Sequence, residues 1–247
     1  MALHDIQAIF FDIGSTLRVT DKDPAFIAEG RRKLAELAKS REDPEVFYQK
    51  LKTRYDAYRE VSKTALLDYP EIELWQQIML PDVDGEYVAA HAQAFTTLWR
   101  DSTNGKRLTR FDTVDTIREL YRRGYTLAIV SDLVGVEEVD DWLDHDGLRP
   151  YFKSVQQSSV CLIRKPHPAI YYYALAETGS DPERTCYVGD NLNRDIIGAK
   201  AAGLGMTVGV QYPDKKPQTV TEENKPDTFI HHFTELLDLF PPLGDKD

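Results

Sequence analysis

Cysteine is scarce in this chain, with only Cys161 and Cys186 among 247 residues. Neither belongs to a C-x-x-C motif, and two cysteines are too few for a disulfide framework. Cys186 lies in an apolar, strand-like run, which predicts a buried thiol with a packing role. The six histidines show no spacing typical of a zinc site. The sequence therefore predicts neither a disulfide-stabilised fold nor a structural zinc centre.

Long apolar runs and an excess of basic residues are also absent. No run approaches the roughly 20 apolar residues that a membrane-spanning helix needs, and the amino terminus lacks the pattern of a signal peptide. Thirty Lys and Arg face 41 Asp and Glu, which gives a formal charge of −11. An acidic surface repels nucleic acid and anionic membranes. We therefore expect a cytoplasmic protein that binds neither nucleic acid nor membrane. The sequence predicts no oligomeric state.

The apolar residues follow two different patterns along the chain. Residues 6–11 form a short continuous apolar run, which is typical of a buried strand. Apolar residues then recur at intervals of three and four, which predicts helices over 24–40, 44–66, 72–79 and 86–100. Beyond residue 106, predicted helices alternate with apolar strands at 126–130, 154–157, 185–188 and 206–210.

Alternation of strands and helices predicts an α/β fold with a doubly wound parallel sheet that is covered on both faces. The first strand belongs to that sheet, so the helical stretch is an insertion behind it. We assign residues 1–18 and 106–247 to the α/β core domain, and residues 19–105 to a second, smaller helical cap domain. The cap is expected over the carboxyl edge of the sheet, where doubly wound folds bind ligands.

Charged and hydroxyl side chains follow the predicted strands at this edge. Asp12 follows the first strand, Ser131 and Asp132 follow TLAIV, and Asp190 follows CYVG. Lys165 lies before a predicted helix, and Asp195 lies five residues after Asp190. Each residue alone is typical of a turn or a helix cap. Together, carboxylates, a lysine and a hydroxyl at one edge predict a site for a divalent cation and a phosphate.

Four segments that carry these residues resemble the motifs of the haloacid dehalogenase (HAD) superfamily. In chain order they are FFDIGSTL, AIVSD, RKPHPAIY and VGDNLNRDIIGAKAAG. The resemblance spans nearly the whole chain, since the helical insertion is similar to the family's cap and KPDTFIHHFTELLDLF is similar to its last strand and helix. It implies a Rossmann-like core, a hydrolase, and a small phosphorylated substrate.

The resemblance also implies roles for individual residues. Asp12 is the expected nucleophile, which becomes an aspartyl phosphate that water then hydrolyses. Mg²⁺ is expected on Asp12, the carbonyl of Gly14, and Asp190. The residues implied in catalysis or phosphate binding are Thr16, Ser131, Asp132 and Lys165. Asn191 and Asp195 are implied as neighbours of these groups.

Gly14 departs from the family pattern, because phosphatases of the family usually read D-x-D-G-T. The second aspartate is their general acid and base, and Gly14 can be neither. General acid–base catalysis contributes roughly 10²- to 10⁴-fold in rate. The loss matters most for an alkyl phosphate, which has a poor leaving group, and less for an acyl or aryl phosphate.

Three interpretations remain open. The first is a Mg²⁺-dependent phosphatase that is slow or takes its acid from the cap, with Asp68, Glu71, Glu73 and His91 as candidates. The second is a hydrolase of a carbon–halogen or carbon–phosphorus bond, and the latter would need a cap lysine such as Lys52 or Lys63. The third is a catalytically weak phosphate-binding protein. Asp190 with Asp195 favours a retained metal and disfavours a dehalogenase.

Overall fold

The computed structural model describes residues 6–244, so residues 1–5 and 245–247 of the predicted core domain lie outside it. Its main sheet has six parallel strands in the order β5–β4–β1–β6–β7–β8. The strands are β1 (Ala8–Phe11), β4 (Thr126–Ser131), β5 (Phe152–Gln157), β6 (Thr185–Gly189), β7 (Met206–Val210) and β8 (Thr228–Ile230). The predicted parallel α/β fold is confirmed, and each predicted strand agrees with the structure to within two residues.

Helices cover both faces of this sheet. They are α6 (Thr113–Arg122), α7 (Glu138–His145), α8 (Ser158–Cys161), α9 (Ala169–Thr178), α10 (Ile197–Ala201) and α11 (Leu236–Leu239). Side chains of β1 alternate between the two faces, with Ile9 and Phe11 in one apolar cluster and Phe10 in the other. The strands are therefore buried on both sides, which explains their unbroken apolar sequences.

A helical layer follows β1 in the chain and has an apolar cluster of its own. Its helices are α1 (Pro24–Leu37), α2 (Pro44–Ala65), α3 (Glu71–Glu73), α4 (Gly85–Ala90) and α5 (Ala92–Asn104), and α3 continues into a π-helical turn at Leu74–Met79. Asp23 and Asp43 cap the first two helices through their side chains. The helical prediction over 86–100 is confirmed, as the two helices α4 and α5. The two helices are separated at His91. The Nδ1 of His91 lies 2.8 Å from the carbonyl oxygen of Tyr87. In a regular helix, that oxygen would accept a hydrogen bond from a backbone N–H.

A two-stranded antiparallel ribbon, absent from the sequence prediction, joins the helical layer to the sheet. It pairs β2 (Arg18–Asp21) with β3 (Lys106–Thr109). Its strands are four residues long and rich in charge, so neither shows the apolar run or clean alternation that marks a strand. The predicted boundary after residue 18 falls within β2, and the division into two domains stays a prediction.

A second connection lies between the cap and the loop that precedes Lys165. Leu67 and Ile163 form an isolated antiparallel bridge. The N–H of Asp68 donates to the oxygen of Leu162 at 3.0 Å, and the N–H of Arg164 donates to the oxygen of Leu66 at 2.9 Å. The cap is thereby hydrogen-bonded to the segment that carries the predicted lysine. Among residues 6–244, no helix combines the length and apolar character needed to cross a membrane.

Candidate active site

Asp12 lies at the carboxyl end of β1 and is only 1% exposed. Its Oδ1 accepts a hydrogen bond from Ser131 Oγ at 2.9 Å and another from Lys165 Nζ at 2.7 Å. Its Oδ2 is buried and has no hydrogen-bond partner. Burial opposes ionisation, but the charges of Lys165 and Arg194 outweigh it and lower the pKa of Asp12. The site therefore presents one fixed carboxylate with one free oxygen.

Lys165 is the cation at the centre of the site, and its side chain is fully buried. Besides Asp12, its ammonium lies 2.7 Å from Asp195 Oδ1 and donates to Tyr187 Oη at 2.8 Å and to the oxygen of Val130 at 3.0 Å. Burial disfavours the charge, but Asp12 and Asp195 outweigh burial and raise the pKa of Lys165. Lys165 is therefore a permanent positive charge between two carboxylates.

Asp190 and Asp195 complete an acidic cluster with Asp12, in which one oxygen of each lies within 4.8 Å of the others. Burial, followed by the charges of Asp12 and Asp195, raises the pKa of Asp190 to about 7. Burial is also the main cause that raises the pKa of Asp195. Asp195 pairs with Lys165 and accepts the N–H of Asn191 at 2.9 Å. Carboxylate oxygens are the donors that a hard cation such as Mg²⁺ prefers, so this cluster fits such an ion.

Three further predicted residues have mainly local partners. Asp132 accepts the N–H of Lys165 at 3.0 Å and Arg164 Nη2 at 3.1 Å, so it fixes the loop that carries the lysine. Asn191 caps the turn after β6 by accepting the N–H of Arg194 at 3.1 Å. Thr16 has no exposed surface, and its hydroxyl has no hydrogen-bond partner. The substrate contacts predicted for Thr16 and Asp132, and the place predicted for Asn191 beside the site, stay predictions.

A cavity of about 220 Å³ opens over Asp12. Gly14, Ser131 and Asp132 line it together with residues of the ribbon. Gly14 is exposed, and a Cβ added to it would meet no atom within 4 Å. The absent side chain therefore leaves open space beside Asp12, and no neighbour fills it.

Comparison with known proteins assigns the family. The model of the haloacid dehalogenase-like hydrolases matches residues 6–203 of the chain. The chain belongs to the haloacid dehalogenase-like hydrolases. Thus the sequence prediction of a HAD-type hydrolase is confirmed.

Relatives of this HAD hydrolase include both phosphatases and a dehalogenase by name. It is 29% identical to a glyceraldehyde 3-phosphate phosphatase of Methanopyrus kandleri, over 97% of this chain and 99% of that protein. It resembles the crystal structure of a HAD phosphatase from Thermococcus onnurineus, at 23% identity and a TM-score of 0.61, covering 96% and 99% of the two chains. It also resembles a 2-haloacid dehalogenase from Pseudomonas syringae, at 20% identity and a TM-score of 0.69, covering 95% and 97%. The structural likenesses establish the fold.

Arg194 is a residue of the HAD site that the sequence analysis missed. It lies inside the fourth motif, and its guanidinium is 3.9 Å from Asp12, 3.8 Å from Asp132 and 3.7 Å from Asp195. Burial opposes its charge, but Asp195 and Asp12 outweigh burial and raise the pKa of Arg194. Arg194 lies between two aspartates of that motif in the sequence, and this position could have indicated that it reaches the site. Tyr187 was missed too, because its contact with Lys165 joins two distant segments.

Two ribbon residues, Arg18 and Arg107, also line the cavity over Asp12. Both contact Glu138, whose other oxygen lies 2.7 Å from Arg100 Nη1. The same three arginines line a larger neighbouring cavity of about 730 Å³. The ribbon had not been predicted, so nothing in the sequence indicated that these cations reach the site.

The cap residues considered as substitute acids lie elsewhere, because none of the four lines the cavity over Asp12. Asp68 pairs with Arg164. Burial opposes its charge, but the charge of Arg164 and the hydrogen bonds that Asp68 accepts together lower the pKa of Asp68. Glu71 accepts the N–H of Val136 at 3.3 Å, and the Nδ1 of His91 lies 2.8 Å from a carbonyl of its own helix. Glu73 is half-buried in the cap.

The two candidate lysines for a Schiff base are solvated. The side chains of Lys52 and Lys63 are 43% and 57% exposed. Each pairs with an acidic residue one turn away on the same helix, Asp56 and Glu60 respectively. An exposed lysine is a poor candidate for a Schiff base, because such lysines are activated by desolvation in an apolar pocket or by a neighbouring cation.

Proposed function

We propose that this HAD hydrolase is a Mg²⁺-dependent phosphatase of a small phosphorylated metabolite that acts through an aspartyl phosphate on Asp12. The observation that carries this proposal is the state of the Asp12 carboxylate. Ser131 and Lys165 hold one of its oxygens, while the other is buried without a hydrogen-bond partner. Asp12 also belongs to the acidic cluster. An ionised carboxylate with a fixed direction is suited to nucleophilic attack.

The residues around Asp12 suit a phosphoryl group as the electrophile. Lys165 and Arg194 place two positive charges beside the nucleophile, which offsets the repulsion between a carboxylate and an anionic phosphate. Ser131 is placed to donate a hydrogen bond, and Asp132 holds the Lys165 backbone. These contacts position the reacting groups before the substrate arrives, which is the main contribution a protein makes to phosphoryl transfer.

The acidic cluster supports Mg²⁺ as the cofactor. Asp12, Asp190 and the carbonyl of Gly14 are the proposed ligands, and Asp195 holds Lys165. The raised pKa of Asp190 reflects burial and the repulsion of its acidic neighbours, which a cation would relieve. When bound, Mg²⁺ supplies positive charge that stabilises the transferring phosphoryl group. The same cluster disfavours a metal-free dehalogenase mechanism.

The substrate class rests on the relatives by analogy. The relative in Methanopyrus kandleri is named for glyceraldehyde 3-phosphate, and one in Pectobacterium atrosepticum is named for phosphoglycolate. Both are small phosphorylated metabolites. The cavity over Asp12, at about 220 Å³, suits a substrate of this size. The solvated Lys52 and Lys63 remove the support for a phosphonate hydrolase.

The test is phosphate release from a panel of small phosphorylated metabolites with Mg²⁺. The wild-type protein is compared with Asp12→Asn, and Asp214→Asn on the exposed surface is the matched control. We expect turnover by the wild type and the control and none by Asp12→Asn. Equal activity of Asp12→Asn would refute the nucleophile assignment. No turnover by any protein would favour the alternative of a phosphate-binding protein.

A further inference from the structure

The cavity over Asp12 contains no free carboxylic acid. Within residues 6–244, Asp12 and Asp132 are the carboxylates that line it. Asp12 is the nucleophile, and Asp132 is held by Arg164 and the Lys165 backbone. The space beside Gly14, where the usual second aspartate would extend, is open. The leaving group therefore meets no residue suited to give it a proton.

The cavity instead presents three guanidinium groups, from Arg18, Arg107 and Arg194. Burial is the main cause that lowers the pKa of Arg18 to about 10 and of Arg107 to about 9, with repulsion from Arg100 second. Both stay positively charged at neutral pH. A guanidinium donates strong hydrogen bonds to an anion but keeps its protons.

Three arginines, Arg18, Arg100 and Arg107, share Glu138 as their direct ion-pair partner, and Asp146, Glu71, Asp101 and Asp141 add negative charge around them. The side chain of Glu138 is 3% exposed. The Nε atoms of Arg18 and Arg100 are buried without a hydrogen-bond partner. A buried group of this kind is stabilised by an additional anion. Arg18 and Arg107 face the cavity over Asp12, so an anion formed in that cavity is within their reach.

We propose that the substrate is an acyl phosphate, whose leaving group departs as a carboxylate anion toward Arg18 and Arg107. This inference rests on the proposed phosphatase function and names its substrate class. A carboxylic acid has a pKa of about 4, whereas an alcohol, like water, has a pKa far above neutrality. A carboxylate therefore leaves without a proton. An alkoxide requires a general acid, and this acid is missing because Gly14 stands where the usual second aspartate would be.

The proposed step balances without an acid. An oxygen of Asp12 forms a bond to phosphorus, and the bond between phosphorus and the acyl oxygen breaks. The electron pair of that bond goes to the departing carboxylate, which leaves as an anion. The products are a phosphorylated Asp12 and a free carboxylate, and no proton moves.

The second step lacks the base that the usual aspartate supplies. Water must attack the phosphorus of phosphorylated Asp12, and removing the proton from that water contributes roughly 10²- to 10⁴-fold when a base is present. Phosphorylated Asp12 is therefore expected to form faster than it is hydrolysed. It then accumulates, and the first turnover releases carboxylate in a burst.

The test uses acetyl phosphate and ethyl phosphate as probes, with Mg²⁺ and the full chain. Rapid quenching followed by intact-mass measurement reports one added phosphoryl group per chain, and peptide mapping places it on Asp12. We expect a burst of acetate equal to the enzyme concentration, with labelling from acetyl phosphate and almost none from ethyl phosphate. The readout of specificity is the ratio of kcat/KM for the two probes, compared between variants.

Two variants test separately the effect of the missing acid at Gly14 and the effect of the arginines that face the leaving group. Gly14→Asp restores a carboxyl group in open space and should shrink the acyl-to-alkyl ratio by about 10²- to 10⁴-fold. Arg107→Gln should lower kcat for acetyl phosphate by about 10²-fold with little change in KM, because the arginine contacts charge that develops as the carboxylate leaves. Arg18 and Arg100 still neutralise Glu138 in that variant. Lys106→Gln, on the same strand but exposed, is the matched control and should retain wild-type kinetics.

The outcomes distinguish this inference from the proposed function. Equal Asp12-dependent turnover of both probes, with no burst, would overturn the acyl phosphate inference and leave the phosphatase intact. Wild-type kcat in Arg107→Gln would likewise overturn it. Failure of both probes to label or be hydrolysed, while another phosphorylated metabolite is hydrolysed, would overturn the inference alone. Failure of every phosphorylated compound would overturn both.

Discussion

Replacement of Arg164 by Met should loosen the cap and destabilise the fold. Arg164 Nη1 donates to both oxygens of Asp68 at 2.8 and 2.7 Å, and Nη2 donates to Asp132 at 3.1 Å. The side chains of Arg164, Asp68 and Asp132 are 3%, 4% and 1% exposed. Met matches the length of the side chain but leaves two buried carboxylates without their shared cation.

The magnitude follows from the burial of this cluster. Removing one partner of a buried ion pair costs about 3 to 5 kcal/mol in the free energy of unfolding. Tyr58 and Ser62 still donate hydrogen bonds to Asp68, at 2.6 and 3.0 Å, so we expect the lower end of this range. In a protein of this size, 1 kcal/mol shifts Tm by about 2 to 4 °C. A loss of about 3 kcal/mol therefore predicts a Tm lower by about 6 to 12 °C.

Thermal unfolding of the wild type, Arg164→Met and a surface control provides the assay. The control is Arg32→Met, because Arg32 pairs with Glu29 and Glu36 on an exposed helix face. Exposed pairs contribute little to stability, so the Tm of the control should stay near that of the wild type. An equal, small effect of both substitutions would refute the argument that Arg164 holds the cap through a buried charge cluster.

The same cluster gives a pH dependence of defined sign. Burial opposes the charge on Asp68, but the charge of Arg164 and the hydrogen bonds that Asp68 accepts together outweigh burial, so the pKa of Asp68 is lower in the folded protein than in the unfolded chain. A lowered pKa stabilises the fold above the unfolded value of about 3.9, and this contribution is lost as the pH falls through the folded value. The Tm difference between the wild type and Asp68→Asn should therefore be largest near neutral pH and shrink below about pH 4. A difference that does not change with pH would contradict the ion pair.

Two predictions concern the proposed metal site, and both use as the readout the rise in Tm that we expect on adding Mg²⁺. Gly189→Ala should reduce this rise, because its Cβ would lie 2.5 Å from Asp195 Oδ2 and displace a carboxylate of the acidic cluster. Gly244→Ala, whose Cβ meets no atom, is the matched control and should keep the rise. Asp190→Asn should also lose most of the rise, since it removes one charged ligand, and a full response in that variant would place the cation elsewhere.

Much of the core and the site could be predicted from the sequence because both depend on local signals. Buried parallel strands read as continuous apolar runs, as β1, β4 and β6 do. The motif residues follow those strands directly, so predicting the strands also placed Asp12, Ser131 and Asp190 at one edge. Gly14 was evident as a missing side chain, and the structure adds that no neighbour occupies its place.

Tertiary structure alone brought the ribbon and its arginines to the cavity over Asp12. Arg18 and Arg107 are 89 residues apart in the chain, and they face one cavity because β2 pairs with β3. Short charged strands carry no periodic signal, so their pairing depends on the packing of the cap against the sheet. The buried ion pair between Asp68 and Arg164 likewise joins residues that are 96 positions apart in the chain. The sequence thus determined which chemical groups end the strands, while the fold decided which distant cations surround them, because charge–charge contacts follow three-dimensional distance and leave no pattern along the chain.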